Sequence, residues 1–284
     1  MAVKRKLKLE KILTLSRKIF IHLLLILGLA ITLAPFIWMI STSFKSSESV
    51  FTFPPQWIPK HPTTEQYQRL FREVNFLQFF KNSVIIAFGI TLFSLFLNSL
   101  GGFAFAKYRF PGKEKIFALL LATLMVPAQI TMIPVFLMLK TVGLINSYWG
   151  LIIPAGASAF GIFLMRQFIT TIPNDLIESA RIDGCSEFRI YWTIILPLCK
   201  PVVAALGIFT FMGSWNAFLW PLIIMIKENM YTLPVALANL SGQYATKFGL
   251  LMAGAVVVVA PVIIVFIIAQ RYVIKGVAVT GLKQ

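Results

Sequence analysis

Acidic residues are scarce in this 284-residue chain: ten Asp and Glu stand against 26 Lys and Arg, a net charge of +16. Charged residues of either sign amount to 13%, roughly half the share of a soluble domain, while 58% are hydrophobic. Too little polar material is present to build a water-facing shell, so the bulk of the chain is assigned to a bilayer. Histidine is nearly absent as well. His22 and His61 fall on opposite sides of the expected membrane, and neither has a neighbour in sequence suited to a metal site. An embedded enzyme needs a nucleophile, an acid–base pair or a metal cluster, and that class is disfavoured. Two cysteines, Cys185 and Cys199, are too few for a disulfide framework and read as small apolar packing residues. The basic excess does not indicate a nucleic-acid partner, because Lys and Arg sit in short clusters between long uncharged runs, as membrane orientation requires.

What is abundant is long apolar sequence. A spanning helix needs about 20 mostly apolar residues. Six segments qualify: Phe20–Ile40, Ser83–Ala106, Ile116–Leu139, Trp149–Met165, Pro201–Ile226 and Gly249–Gln270. Each lacks Asp, Glu, Lys and Arg, and charge marks every break between them. The fifth is interrupted near its outer end by Trp220–Pro221. Continuous apolar runs without alternation exclude a membrane β-barrel. The expected fold is therefore an all-α polytopic membrane protein with six transmembrane helices. With the N-terminus inside, inner segments carry 18 of the 26 Lys and Arg and outer segments carry 8. Lys4, Arg5, Lys6, Lys8, Lys11, Arg17 and Lys18 precede the first helix, which usually dominates orientation. An even count returns the C-terminus to the cytoplasm. The first apolar run is longer than the core of a signal peptide, so it is kept as a span. The chain divides into a basic cytoplasmic segment (1–19), a transmembrane domain (20–270) and a cytoplasmic tail (271–284).

Two connections exceed simple turns. The outer loop, 41–82, opens on Pro54, Pro55, Pro59 and Pro62, then reads as an interfacial helix with Thr63 and Gln66 at capping-box spacing. The inner loop, 166–200, predicts two short helices at a sharp angle. Pro173 suits a first helical turn, Asp175 and Glu178 suit its dipole, and Gly184 tolerates the left-handed conformation that ends helices. Ser186 can cap a second helix with Phe188, Tyr191, Trp192 and Ile195 at i, i+3, i+4 and i+7. From these features alone, an interfacial hairpin with no partner is an equal reading.

The motif Glu178-Ser179-Ala180-Arg181-Ile182-Asp183-Gly184, followed by Ile194-Ile195-Leu196-Pro197, resembles the EAA loop of membrane subunits of bacterial ABC importers. Ser179 and Cys185 replace family alanines, and both are small. Thr42-Ser43-Phe44-Lys45, Phe53-Pro54-Pro55, Asn82-Ser83, Phe110-Pro111-Gly112, Ile133-Pro134, Trp215-Asn216-Ala217-Phe218 and Gln270-Arg271-Tyr272 extend the resemblance to the carbohydrate-uptake, maltose-type permeases. A terminal Gly276, Gly281 and Lys283 also fit. The resemblance implies a multi-pass protein of the bacterial inner membrane that forms a sugar pathway with a second permease subunit. It implies two ATPase subunits that bind ATP and Mg and receive the loop through Glu178, Ser179, Ala180, Asp183, Gly184, Leu196 and Pro197. It further implies an extracytoplasmic sugar-binding protein. This chain has no P-loop of its own, since Gly112-Lys113 lacks the surrounding pattern, so no cofactor is expected in it. An importer of another polar solute, such as glycerol phosphate or a polyol, is the alternative within the class, and a passive channel stands outside it.

Uncharged polar groups inside the apolar runs are the pathway candidates. Thr91, Ser94, Asn98, Gly101 and Gly102 form a small and polar stripe that serves either helix packing or the pathway. Gln129 and Thr131 lie between Pro127 and Pro134, where freed carbonyls need partners or a wet cavity. Trp215 offers a stacking face for a sugar ring and Asn216 a hydroxyl partner, although Trp215 also suits an aromatic belt. With no carboxylate or Lys in any span, a proton relay is disfavoured.

Overall fold

A computed structural model describes residues 2–243 and 247–281, with side chains described over 14–242, 247–268 and at 270. The chain forms two compact units, 1–74 with 244–257 and 75–243 with 258–284. No strand is present among the described residues.

In the first unit α1 (Ala2–Ser43) is a single helix of 42 residues. Its apolar side chains from Leu15 to Ile31, Phe20 and Leu25 among them, are exposed, a surface that only lipid or another protein can cover. The turn after it buries Lys45, whose Nζ lies 4.2 Å from the centre of the Trp38 ring, a cation–π contact that offsets lost hydration. Helix α2 (Glu65–Glu73) buries Leu70 and is tied to this turn by Gln66. Gln66 is buried and donates to Lys45 O (3.2 Å) and Ser47 Oγ (3.3 Å). The expected capping box is therefore absent. Thr63 Oγ1 instead accepts from the Glu65 N–H (3.1 Å), because Gln66 is needed to satisfy a carbonyl that the turn buries.

The second unit is organised by α3 (Phe76–Lys107), about 48 Å long at the usual helical rise. It starts seven residues before the expected Ser83, with Phe76 and Phe79 buried. Then come α4 (Lys113–Ala122), α5 (Ala128–Thr141), α6 (Trp149–Ile152) and α7 (Ala159–Thr170). Helices α8 (Asp175–Ile182), α9 (Glu187–Ile190) and α10 (Leu196–Leu198) lead into α11 (Lys200–Trp215), α12 (Leu219–Ile224) and α13 (Leu233–Gln243). Helix α14 (Phe248–Gly281) ends the described chain.

Among the described residues, three stretches are long and apolar enough to cross a membrane unbroken: Thr14–Ser43, Phe76–Lys107 and Phe248–Ile268. Two bent pairs raise the number to as many as five: Lys113–Met125 with Ala128–Thr141 at 103°, and Glu187–Leu198 with Lys200–Trp215 at 82°. The apolar run Ile116–Leu139 thus contains a break, because Pro127 lacks a donor and drives Val126 extended. The run Trp149–Met165 is divided between α6 and α7. The run Pro201–Ile226 breaks at Asn216–Phe218 rather than at Pro221, which occupies the first turn of α12 where a missing N–H is harmless.

Helix α3 packs along α7 and α11. Its small residues make this possible: a Cβ on Gly102 would stand 2.4 Å from Met165 Cβ and 2.9 Å from the Arg166 nitrogen. The stripe on α3 is therefore a packing face over Gly101 and Gly102. At the Lys107 end a core of Phe103, Ile169, Ile177, Ile190, Tyr191 and Ile195 joins α3 and α7 to the short helices.

Candidate functional site

The inner loop folds as a helical hairpin. Helix α8 ends in a Schellman motif: Gly184 takes φ +78°, its N–H bonds Arg181 O (3.0 Å), and the Cys185 N–H reaches Ala180 O (2.9 Å). Ser186 Oγ accepts from the Arg189 N–H (3.3 Å) and caps α9. On α8, Glu178, Ser179, Asp183 and Gly184 are exposed. Ala180 is not available to a partner. It is buried with Ile177 against the hairpin's own core, so its small size serves internal packing. Leu196 is half-buried and Pro197 exposed on the segment that turns into α11.

A π-helical turn over Tyr191–Ile195 changes the face that α9 presents. Ile190, Tyr191 and Ile195 are buried, whereas Phe188 and Trp192 are exposed. The expected i, i+3, i+4, i+7 face is wrong at those two aromatics because i→i+5 bonding widens the turn. The turn puts Tyr191 Oη 2.6 Å from Ser99 Oγ on α3.

The end of α3 grips this hairpin at both ends of α8. Lys107 Nζ donates to Ile172 O and to Asn174 Oδ1 (2.8 Å) at its start. At its far end Arg181 binds Glu187 with two bonds of 2.7 and 3.2 Å, and Tyr108 Oη donates to the same carboxylate at 2.5 Å. Burial first, and the Glu187 carboxylate second, push the Tyr108 phenol up to about 12. Arg166 on α7 adds a second tie, binding both Glu114 oxygens at 3.0 and 3.1 Å and covering the Phe117 ring at 3.9 Å. Lys107, Tyr108, Arg181 and Glu187 were not distinguishable in sequence as a group, because the partners lie in separate loops.

A second feature lies beside the middle of α3, a cavity of about 430 Å³. Ser94, Ser158, Thr210, Gly213, Ser214 and Trp220 line it, together with aliphatic side chains and the rings of Phe160 and Phe209. Of the four pathway candidates none lines this cavity. Asn98 is buried just behind it, with Nδ2 donating to Ser94 Oγ (2.7 Å) and Oδ1 accepting the Ser158 N–H (2.9 Å). Gln129 is exposed in the first turn of α5. Trp215 is no stacking platform: it is 2% exposed, Phe211 lies parallel at 5.7 Å, Phe80 meets it edge-on, and Nε1 donates to Val258 O (2.9 Å). Asn216 is exposed and donates to Met212 O. Of the tetrapeptide Gly213-Ser214-Trp215-Asn216, Gly213 and Ser214 line the cavity and Trp215 and Asn216 do not. Thr210 and Gly213, three residues apart on one face of α11, line it together with Ala217 beyond the helix end.

Residues 98–279 match the family of binding-protein-dependent transport system inner membrane components. The chain is 37% identical over 256 residues to the arabinooligosaccharides transport system permease protein AraQ of Halalkalibacterium halodurans, covering 89% of this chain and 92% of that one. It is 33% identical to the sn-glycerol-3-phosphate transport system permease protein UgpE of Salmonella typhi, covering 91% and 95%. A chain of a crystallised bacterial ABC transporter that imports the acidic polysaccharide alginate superposes with a TM-score of 0.81 at 26% identity, over 90% of this chain and 95% of that one.

Proposed function

The chain belongs to the binding-protein-dependent inner-membrane component family and is a membrane permease subunit of an ABC importer, and we propose that the solute it passes is a sugar. The likeness to a permease for arabinooligosaccharides over nearly the whole of both chains supports this reading. In it, six crossings arise from α1, α3, the first half of α14, the bent α4–α5 pair, α6 with α7, and α11 with α12. Both termini lie in the cytoplasm. A second permease subunit completes the pathway, an extracytoplasmic binding protein delivers the sugar, and two ATPase subunits supply the energy, with ATP and Mg bound on them.

The exposed face of α8 (Glu178, Ser179, Asp183) is the surface offered to an ATPase. Because Lys107 and the Tyr108–Glu187–Arg181 cluster tie both ends of α8 to α3, a displacement of α8 is carried into the longest helix of the second unit. The bent pairs are the elements able to change angle while α3 stays straight. The relative that carries glycerol 3-phosphate supports a second reading, an importer of another polar solute.

The test is uptake by the complete transporter in proteoliposomes. ATP-dependent uptake of arabinotriose supports the sugar reading, ATP-dependent uptake of sn-glycerol 3-phosphate alone supports the second, and uptake without ATP removes both. Orientation is read from single-cysteine variants. Gln68→Cys should label from outside and Arg189→Cys only from inside, both positions being exposed. Gln66 is buried and unsuited to that purpose.

A further inference from the structure

Where α8 meets the end of α3, a pocket of about 380 Å³ opens between them, a volume in the range of small-ligand sites. The end of α3 and the two residues after it contribute Lys107, Tyr108 and Arg109. Helix α8 and its N-cap contribute Asn174, Ile177, Glu178 and Arg181, at i, i+3, i+4 and i+7, so a single flank of the helix faces the pocket. Ser179, Ile182 and Asp183 are exposed and lie outside the lining. The face assigned to an ATPase and the flank on the pocket are therefore different, and Glu178 stands on the edge they share.

The pocket is rich in hydrogen-bond donors and poor in acceptors. The Arg109 guanidinium has no partner among the described residues. Lys107 gives two of its N–H groups to Ile172 O and Asn174 Oδ1 and keeps a third. Because an ammonium only donates, Asn174 must turn its oxygen to Lys107, and its amide N–H groups are left over. Arg181 gives two N–H groups to Glu187 and keeps the rest of its fork. Against these donors stands one lining carboxylate, Glu178. With Glu187 counted, and with Lys113, whose Nζ lies 3.0 Å from Tyr108 O, four cations face two carboxylates. A neutral ligand would leave that excess unanswered. A carboxylate brings two oxygens and one charge, whereas a phosphate monoester brings three oxygens and up to two charges. Guanidinium groups bind phosphate through paired, charge-assisted bonds.

We propose that this pocket binds a phosphate-bearing anion, free phosphate ester or phospholipid headgroup, with Arg109 as its principal ligand and Arg181, Lys107 and Asn174 in support. A bound phosphate joins α8 to the end of α3 on the flank away from the ATPase face, so its occupancy stiffens the link through which the two are coupled. The site is independent of the solute carried, and only its placement in the cytoplasm rests on the orientation proposed above.

The experiment uses the complete transporter in phosphatidylcholine nanodiscs without nucleotide. Phenylglyoxal modification of Arg109 is followed by peptide mass spectrometry, with Arg189, exposed and outside the pocket, as reference. Inorganic phosphate or glucose 6-phosphate should slow modification of Arg109 severalfold relative to Arg189, and sodium chloride at equal ionic strength should not. Slowing in phosphatidylglycerol nanodiscs, with no effect of the free phosphates, assigns the pocket to the lipid headgroup. Slowing by neither source overturns the proposal. So does an Arg109 that is unreactive in phosphatidylcholine before phosphate is added, since a side chain of another subunit then fills the pocket. Two variants sharpen the assignment, with Arg181 as reporter and whichever phosphate protects as probe. Arg109→Gln should raise the half-protecting concentration about tenfold or more, the loss of a charged contact. Glu178→Gln removes the lining carboxylate and should lower that concentration severalfold. Unchanged protection in Arg109→Gln, or weaker protection in Glu178→Gln, overturns the site. Uptake that needs no ATP would remove the importer reading and leave this binding result standing.

Discussion

The hairpin at the end of α3 and the cavity at its middle use polar residues in opposite ways. At the hairpin, Lys107, Tyr108, Arg181 and Glu187 have partners at hydrogen-bond distance, so their free energy goes into fixing one geometry. In the cavity, the buried Ser214 Oγ has none among the described residues and the neighbouring hydroxyls keep protons to donate. A satisfied polar group holds one geometry, whereas an unsatisfied one contributes nothing to fixing it. Asn98 stands behind the cavity's wall, bonded to Ser94 and to Ser158.

The largest effect is expected where the hairpin is densest. Ala180→Trp should overpack the core beneath α8 and cost about 3 kcal/mol, seen as loss of the assembled complex on heating. Ser179→Trp, on the exposed face one residue away, should leave stability unchanged and abolish ATPase recruitment in a pull-down. If the two variants behave alike, the distinction between inner and outer faces of α8 is lost. Asn98→Ala should strand the Ser158 N–H and cost about 2 kcal/mol of thermal stability, while affinity for solute in surviving complexes stays the same. A changed affinity with normal stability would move Asn98 into the cavity's chemistry.

Glu187→Gln should be milder. It removes one charge from a half-exposed pair, about 1 kcal/mol after screening, and its readout is fewer solute molecules carried per ATP hydrolysed. The smallest effect is one of pH. A phenol whose value is raised on folding contributes stability that is fully present below its unfolded value of about 10 and is lost as pH rises through about 12. Ultraviolet difference absorbance between wild type and Tyr108→Phe should therefore show one tyrosine titrating late. Ordinary titration at that position would mean the Glu187 bond is not kept.

Much of the hairpin was legible in sequence because its signals are local. Gly184 and Ser186 act on their own backbone, and the structure puts the helix end and the cap where they indicate, whereas Pro173 lies ahead of the first turn, α8 starting at Asp175 after the N-cap position Asn174. What sequence could not supply was long-range: the ties from Lys107 and Tyr108 across more than 60 residues, and the π-turn that rotates Phe188 and Trp192 outward. In the spans, composition reported apolarity but not continuity, so Pro127 broke the third run and the fifth broke at Asn216 rather than at Trp220–Pro221. Trp215 was misread because a large aromatic with an N–H suits a sugar and a core equally, and only packing against Phe211 and Val258 decides between them.

The central claim is that α8 is the surface through which an ATPase moves this subunit. The direct measurement is site-specific photocrosslinking from α8 in the intact transporter, scanned over Leu176 to Asp183. The account predicts ATPase adducts from the exposed positions Glu178, Ser179 and Ile182 and none from the buried Ile177 and Ala180. Adducts from no position, or from all of them without regard to burial, would contradict it.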